Sequence, residues 1–203
     1  GVGDPDHLGD IGVDVAHALP GVGKNFQDHF IVRVQADVEG IGTLNERSRG
    51  LRFVGELMKF AFQGGGMLTY GASLVAASFK ALPESATPDV QGLFSSGSFS
   101  PGPKRQMDKT PAMTTGLWQM RPESCGHVLA QSADPRTQPV INPNYLVEER
   151  DRRTVIASIR MARDWFAQPA FQPYVTGEKL PGKDVQTDDE ILHFAREVGT
   201  TVF

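Results

Sequence analysis

The chain is short of cysteine, of charge bias and of long apolar runs, and each shortage excludes something. Its single cysteine, Cys125, rules out an internal disulfide and suits a reducing compartment. No stretch is apolar for the length of a membrane span, and no secretory leader is visible, so the default location is the cytoplasm. The 24 acidic and 20 basic residues leave a net charge of −4, which lacks the basic footprint of a nucleic-acid partner. The five histidines, at positions 7, 17, 29, 127 and 193, show no metal-ligand spacing, so no metal is assigned. None of the glycine clusters fits G-x-G-x-x-G between a strand and a helix, so a dinucleotide cradle is missing. A phosphate-binding P-loop and a G-x-S-x-G elbow are missing too; Ser96-Gly97-Ser98 sits in a stretch that reads as a linker.

What is present is enough apolar sequence for a real core. Hydrophobic residues make up 39% and charged residues 22% of 203, which allows one large domain or two small ones. Asp4-Pro5 predicts a capped helix to Asp10, ended by Gly12. Val13 to His17 alternates like a strand, and Leu19 to Gly23 is a turn-rich loop. Phe30 to Asp37 predicts a strand, and Leu51 to Gln63 a helix stopped by Gly64. Leu74 to Ala81 and Val90 to Ser95 read as strands, and Ser95 to Gln106 as an exposed loop. Met113 to Met120 and His127 to Gln131 read as a strand pair joined across 121–126. Asp151 to Ala167 predicts a helix with Val155, Ile159, Ala162 and Phe166 on one face, and Thr187-x-x-Glu190 is a capping box for a last helix. Strands following strands, with the long helices late, predict an α+β fold with a mostly antiparallel sheet flanked by helices.

Residue chemistry alone leaves the alternatives open. Asp28-His29 fits either a proton-handling pair or, with Asn25, a capped turn. Trp118 fits either a pocket wall or ordinary core. The run Arg150, Arg152, Arg153, interleaved with Glu148, Glu149 and Asp151, reads as a solvated helix face. Both ends of the sequence read as cut from something larger: Gly1 is not a methionine, and Phe203 follows a β-prone run.

Four blocks in order carry a resemblance. Gly1-Val2-Gly3-Asp4-Pro5-Asp6-His7-Leu8 is similar to an S-G-[IV]-G-x-x-x-x-L signature, with its serine before Gly1. Leu19 to His29 resembles L-P-G-V-G-x-N-L-Q-D-H almost residue for residue. Arg121-Pro122-Glu123-Ser124 with Gly126 resembles R-P-x-S-x-G. Ser132 to Leu146 resembles S-x-D-P-x-x-x-P-x-I-x-P-N-Y-L. Together they resemble the glucose–methanol–choline flavin-dependent oxidoreductases.

That resemblance implies a parent that binds FAD in a Rossmann-type domain and oxidises alcohols by hydride transfer to the flavin. It implies residues 1–29 as a connecting segment, 30–198 as the substrate-binding domain and 199–203 as a return strand. Gly199 to Phe203 resembles the run just before the family's catalytic histidine, so the general base would follow Phe203 and no catalytic residue lies in this chain. Phe203 and Trp118 are then the expected alcohol-pocket residues. Asn25, Asp28 and His29 are expected near the flavin without holding it, and the 203 residues alone are expected to bind no FAD and to be inactive. The family's choline-oxidising members carry an acid on the strand resembling Leu74 to Phe79; its absence here points to a neutral alcohol as the small-molecule partner, with an electron acceptor for the parent. The competing expectations are a non-catalytic binding module and a subunit that complements a separate FAD-binding chain.

Overall fold

A computed structural model describes residues 1–71, 73–100 and 106–203. The chain divides into two compact units, one of Gly1–His29 with Arg121–Arg152, the other of Phe30–Met120 with Arg153–Phe203. Its strands are β1 (Val2–Gly3), β2 (His17–Ala18), β3 (Lys24–Phe26), β4 (Phe30–Val38), β5 (Val75–Phe79), β6 (Val90–Ser95), β7 (Ala112–Gln119), β8 (Gly126–Leu129), β9 (Val140–Asn142), β10 (Val175–Leu180) and β11 (Thr200–Thr201). Its helices are α1 (Pro5–Asp10), α2 (Leu44–Arg47), α3 (Gly50–Gln63), α4 (Glu149–Phe166) and α5 (Asp188–Val198).

The first unit is small and wired by turns. Its β3, β8 and β9 form an antiparallel sheet in that order, and β1 pairs β2 in parallel. The strand expected over 13–17 is instead only His17–Ala18, because the preceding residues return from α1: Val13 N–H donates to Leu8 O (2.9 Å) and Ala16 N–H to Gly1 O (2.8 Å). Asp151, on the first turn of α4 and 2% exposed, accepts from the backbone N–H groups of Glu123 (3.0 Å) and Ser124 (2.7 Å). The Ser124 hydroxyl oxygen in turn accepts from Val147 and Glu148 N–H, both at 3.1 Å. An Asp151→Ala change strips the buried Ser124 amide and the part-buried Glu123 amide of their acceptor. The expected loss is about 2 kcal/mol of stability, read as a lower urea midpoint at unchanged slope.

In the second unit one antiparallel sheet runs β10-β4-β7-β6-β5, with β11 also on β4. The pairings Ile31↔Trp118↔Gln91 and Val32↔Leu117↔Gly92 fix which residues share a face. Val32, Val34, Ala36 and Leu117 fall on one face, all at most 1% exposed. On that side Phe79 meets Trp165 of α4 edge-on at 4.8 Å, and Arg163 of α4 holds Glu178 of β10 at 2.8 Å. The α4 face of Val155, Ile159, Ala162 and Phe166 is buried, as are Ile191, Phe194 and Ala195 of α5. The core thus lies between helices and sheet, as the periods of 2 and 3.6 require. The α+β, mostly antiparallel expectation holds.

Two expectations at the loops do not hold. The segments 113–120 and 127–131 are not a pair: β7 lies between β4 and β6, and β8 between β3 and β9. The polar run after β6 is not merely exposed, since Ser98 is fully buried and donates its N–H to Asn45 Oδ1 (3.0 Å) and its hydroxyl to Asp108 (2.6 Å). Asn45 Nδ2 donates to the carbonyls of Ser98 (2.9 Å) and Asp108 (3.0 Å), which ties α2 to this loop. Residues 101–105 of that stretch lie outside the described residues.

Two carboxylates, buried Asp89 and half-buried Asp108, bear on the acid limit of this unit. Burial works against ionisation of Asp89, yet the Ser85 hydroxyl and the Ala81 (2.7 Å) and Leu82 (3.2 Å) amides outweigh it and hold the carboxyl below the ordinary aspartate range. Asp108 is likewise opposed by burial and likewise held low, by Lys179 (2.7 Å) and Ser98 (2.6 Å). A folded-state pKa below the unfolded one stabilises above the unfolded value and is lost as pH falls through the folded value. The urea midpoint should therefore stay level from about pH 7 to 5 and drop below about pH 4. Asp89→Asn should lower it at neutral pH and flatten the acid limb.

Candidate functional site

The second face of the large sheet has a different composition. Pairing places Ile31, Arg33 and Gln35 of β4 beside Trp118, Gly116 and Thr114 of β7 and, beyond them, Gln91, Leu93 and Ser95 of β6. This face mixes one half-buried cation, several neutral polar groups and a large aromatic. At one end the loop after β6 folds over it: Gln35 Nε2 donates to Phe99 O (3.1 Å) and Thr114 Oγ1 to Gly97 O (2.7 Å). At the other end Thr200 of β11 pairs with Ile31, which pairs with Trp118, so the row Thr200–Ile31–Trp118 crosses three strands. Between the ends Gly116 keeps the row open; a Cβ there would sit 2.9 Å from Ile31 Cδ1 and 3.9 Å from Arg33 Cγ.

Trp118 and Phe203 are therefore brought to the same end of one sheet. Trp118 is 6% exposed on β7, and Phe203 is 86% exposed two residues beyond β11. Composition did not single out Arg33, Gln91, Leu93 or Thr200 on the same face. The alternation Phe30-Ile31-Val32-Arg33-Val34-Gln35 carried that signal, because period two puts Arg33 and Gln35 opposite the core. None of the five histidines lies on this face.

Asn25, Asp28 and His29 belong to the first unit. Lys24 and Phe26 pair with the consecutive residues His127 and Gly126, which leaves Asn25 as the extra residue of a β-bulge at φ +63°. Asparagine tolerates that left-handed backbone. The Asp28 carboxylate accepts from the Tyr145 hydroxyl, Gln27 Nε2 donates to Pro122 O (2.8 Å) and Asn144 Nδ2 to Cys125 O (3.0 Å). The second, third and fourth motif blocks thus meet as a hydrogen-bond frame. His29 is half-buried beside Asp28.

The fit to a dinucleotide cofactor can be judged from the helix N-termini. Pyrophosphate needs free N–H groups and a positive dipole end. Here α1 opens on Asp4 and Asp6, α4 on Glu149 and Asp151, and α5 on Asp188, Asp189 and Glu190. These carboxylates repel phosphate at three helix starts, whereas α3 opens on Gly50 with no acid in its first turn. Among the described residues no group of three His, Cys, Asp or Glu side chains is placed to hold a metal ion.

Two cavities lie away from the Trp118 row. One, of about 1080 Å³, is lined by charged residues including Asp37, Glu46, Arg47, Glu56 and Lys179. The other, of about 330 Å³, is mostly apolar and includes Tyr70, Leu74, Phe94, Phe171 and Tyr174. The larger is filled with paired charges, such as Arg47 with Glu56 at 3.6 Å, and offers no reacting group.

The family of GMC oxidoreductases matches residues 122–203. The oxygen-dependent choline dehydrogenase of Brucella ovis is 36% identical over 205 residues, covering 97% of this chain and 36% of that protein. The mitochondrial choline dehydrogenase of Mus musculus is 36% identical over 200 residues, covering 97% of this chain and 33% of that protein. The chain thus spans about a third of the length of these relatives. Among solved structures, the formate oxidase of Aspergillus oryzae superposes with a TM-score of 0.82 at 19% identity, covering 100% of this chain and 40% of that one. An FAD-dependent oxidoreductase from Chaetomium thermophilum gives 0.76 at 20% identity, covering 98% and 40%. The motif frame, the antiparallel sheet and these likenesses agree: the chain belongs to the glucose–methanol–choline oxidoreductase family.

Proposed function

We propose that this chain supplies the substrate-facing sheet of an FAD-dependent oxidoreductase that oxidises the CH–OH group of a neutral alcohol. The observation that carries the reading is the sheet face of Ile31, Arg33, Gln91 and Trp118, turned away from the helices in a chain 36% identical to choline dehydrogenases. FAD supplies hydride acceptance, held by residues other than these 203, and a histidine outside this sheet face takes the hydroxyl proton. The residues in hand wall the alcohol and orient it, with Trp118 and Phe203 as the apolar contacts. Residues 30–198 act as the substrate-binding domain, with 1–29 leading into it and 199–203 leading out. Asn25, Asp28 and His29 shape the segment next to the cofactor.

Choline is disfavoured on charge. Leu74 to Phe79 holds no acid, and the face carries the Arg33 cation. A quaternary ammonium beside Arg33 would meet a like charge. A hydroxyl with an aliphatic or aromatic body meets no such cost.

The test uses the whole protein that contains these residues. It should carry flavin and reduce an artificial electron acceptor with primary aliphatic or aryl alcohols at least about tenfold faster, in kcat/KM, than with choline. Trp118→Ala should lower kcat/KM for the best alcohol about 30-fold, the equivalent of about 2 kcal/mol of lost contact. A flavin-free protein with no turnover would leave a binding module instead. The purified 203-residue chain should fold and show no flavin absorbance; a stoichiometric flavin band would refute the assignment of FAD to other residues.

A further inference from the structure

The neutral polar groups on the proposed alcohol-facing side of the sheet divide by what they bond. At the end covered by the loop after β6 they are engaged within the chain: Gln35 donates its amide to Phe99 O (3.1 Å) and Thr114 its hydroxyl to Gly97 O (2.7 Å). At the other end one register row crosses the strands as Thr200–Ile31–Trp118–Gln91–Ser78. Among the described residues the side chains of Thr200, Gln91 and Ser78 make no hydrogen bond. Thr200 and Gln91 are half-buried, and Ser78 is exposed on the edge strand β5. A half-buried amide has given up part of its water, and that of Gln91 gains no bond within the chain in return. Its neighbour on the row is Trp118, 6% exposed, so the amide adjoins an apolar wall.

We infer that Gln91 determines specificity at the alcohol site, and that the substrate is an alcohol with a second neutral hydrogen-bonding group, a hydroxyl or an ether, at its far end. The inference rests on the proposed alcohol site, with the carbinol at the Thr200–Phe203 end of the row. Adjacent strands lie about 4.8 Å apart, so Gln91 stands about 14 Å along the row from Thr200. It therefore meets the opposite end of a molecule whose body lies over Ile31 and Trp118. Its amide donates through nitrogen and accepts through oxygen, which matches a hydroxyl in both senses and an ether in one. The row contains no ionisable side chain, so a charged tail beside Gln91 would lose water without meeting a counter-ion there. A plain alkyl tail would leave the amide as it is now, half-buried and unbonded.

The test gives the whole protein that contains these residues hexanol and the terminal diol of hexane. kcat/KM for the diol should exceed that for hexanol about tenfold beyond the statistical doubling that its identical ends give. Gln91→Leu should bring the ratio down to that doubling, with the change carried mainly by KM, because the contact is made equally in the ground and transition states. If that variant does not fold, the unaltered protein decides with terminal diols of increasing length, each against the mono-alcohol of equal length. The preference should be absent in diols too short to reach Gln91 and should appear as the chain lengthens. An equal ratio in variant and unaltered protein, or no diol preference at any length, overturns the inference and leaves the alcohol site standing. So does a preference for the terminal hydroxy acid over the diol, which would make Arg33 the reader of the tail. A whole protein that oxidises no alcohol overturns the alcohol site itself, and this inference with it.

Discussion

Gly126→Ala is expected to destabilise the chain by about 3 kcal/mol or more, and to leave little folded protein at 37 °C. The reason is contact with backbone, which cannot rotate away. A Cβ at Gly126 would lie 1.9 Å from the Asn142 carbonyl oxygen, 2.6 Å from Pro143 C and 2.8 Å from Pro143 O. Gly126 opens β8, and His127 beside it pairs with Asn142, so relieving the overlap means parting β8 from β9. That strand pair frames Asn144, whose side chain donates to Cys125 O, and Tyr145, whose hydroxyl meets Asp28. The loss should appear as a fall in Tm of about 6–12 °C for a protein this size, measured by circular dichroism. A Tm within about 2 °C of the unaltered chain would mean that the Asn142 carbonyl does not press on Gly126.

This steric demand explains why the motif blocks were legible before the fold was. The glycine of R-P-x-S-x-G is fixed by a carbonyl at contact distance, and its serine by two amides that need an acceptor. The asparagine of the L-P-G-V-G-x-N block is fixed by a left-handed bulge, and Gly23 before it by φ +74° with Val128 O 2.2 Å from a would-be Cβ. Each position admits few residue types, so it leaves a readable mark. The elements with strong local signals were legible too: Asp4-Pro5 caps α1, Gly64 ends α3 at φ +62°, and the Thr187–Glu190 box opens α5. What was not legible depends on distant partners. Val140–Asn142 is a strand only because β8 lies beside it, and its own residues are all exposed. Val175–Leu180 pairs β4 through two register shifts, which break the alternation that would have marked it.

The candidate site was half legible for the same reason. Trp118 stood out by residue type, but its neighbours on the sheet come from strands far apart in sequence, Ile31 before it and Thr200 after it. Only the register joins Thr200 to Ile31 and Ile31 to Trp118. The signature residues, by contrast, hold the frame of the first unit. In this family member the signature is written in the scaffold, and the proposed alcohol site lies on the less constrained sheet face, where Arg33 and Leu93 flank Gly116.

Gly199→Ala tests whether that sheet face and the C-terminal segment act together. Gly199 joins α5 to β11, and a Cβ there would lie 2.0 Å from Phe30 Cζ and 2.5 Å from both Phe30 Cε2 and Ala195 O. Phe30 is 9% exposed and pairs with Thr201, so the ring has little room to yield. The substitution should push β11 off β4, costing about 3 kcal/mol of stability. In the whole protein it should lower turnover about a hundredfold, since a displacement near 1 Å at a reacting site is enough for that. Phe30→Leu removes the two ring contacts but not the Ala195 carbonyl. The double variant should therefore regain about half of the lost stability, a coupling of the sign that steric relief requires. Turnover should recover with it if Thr200 to Phe203 lines the alcohol site. Recovered stability with turnover still about a hundredfold low would place Gly199 in the chemistry's own geometry, independent of its packing against Phe30.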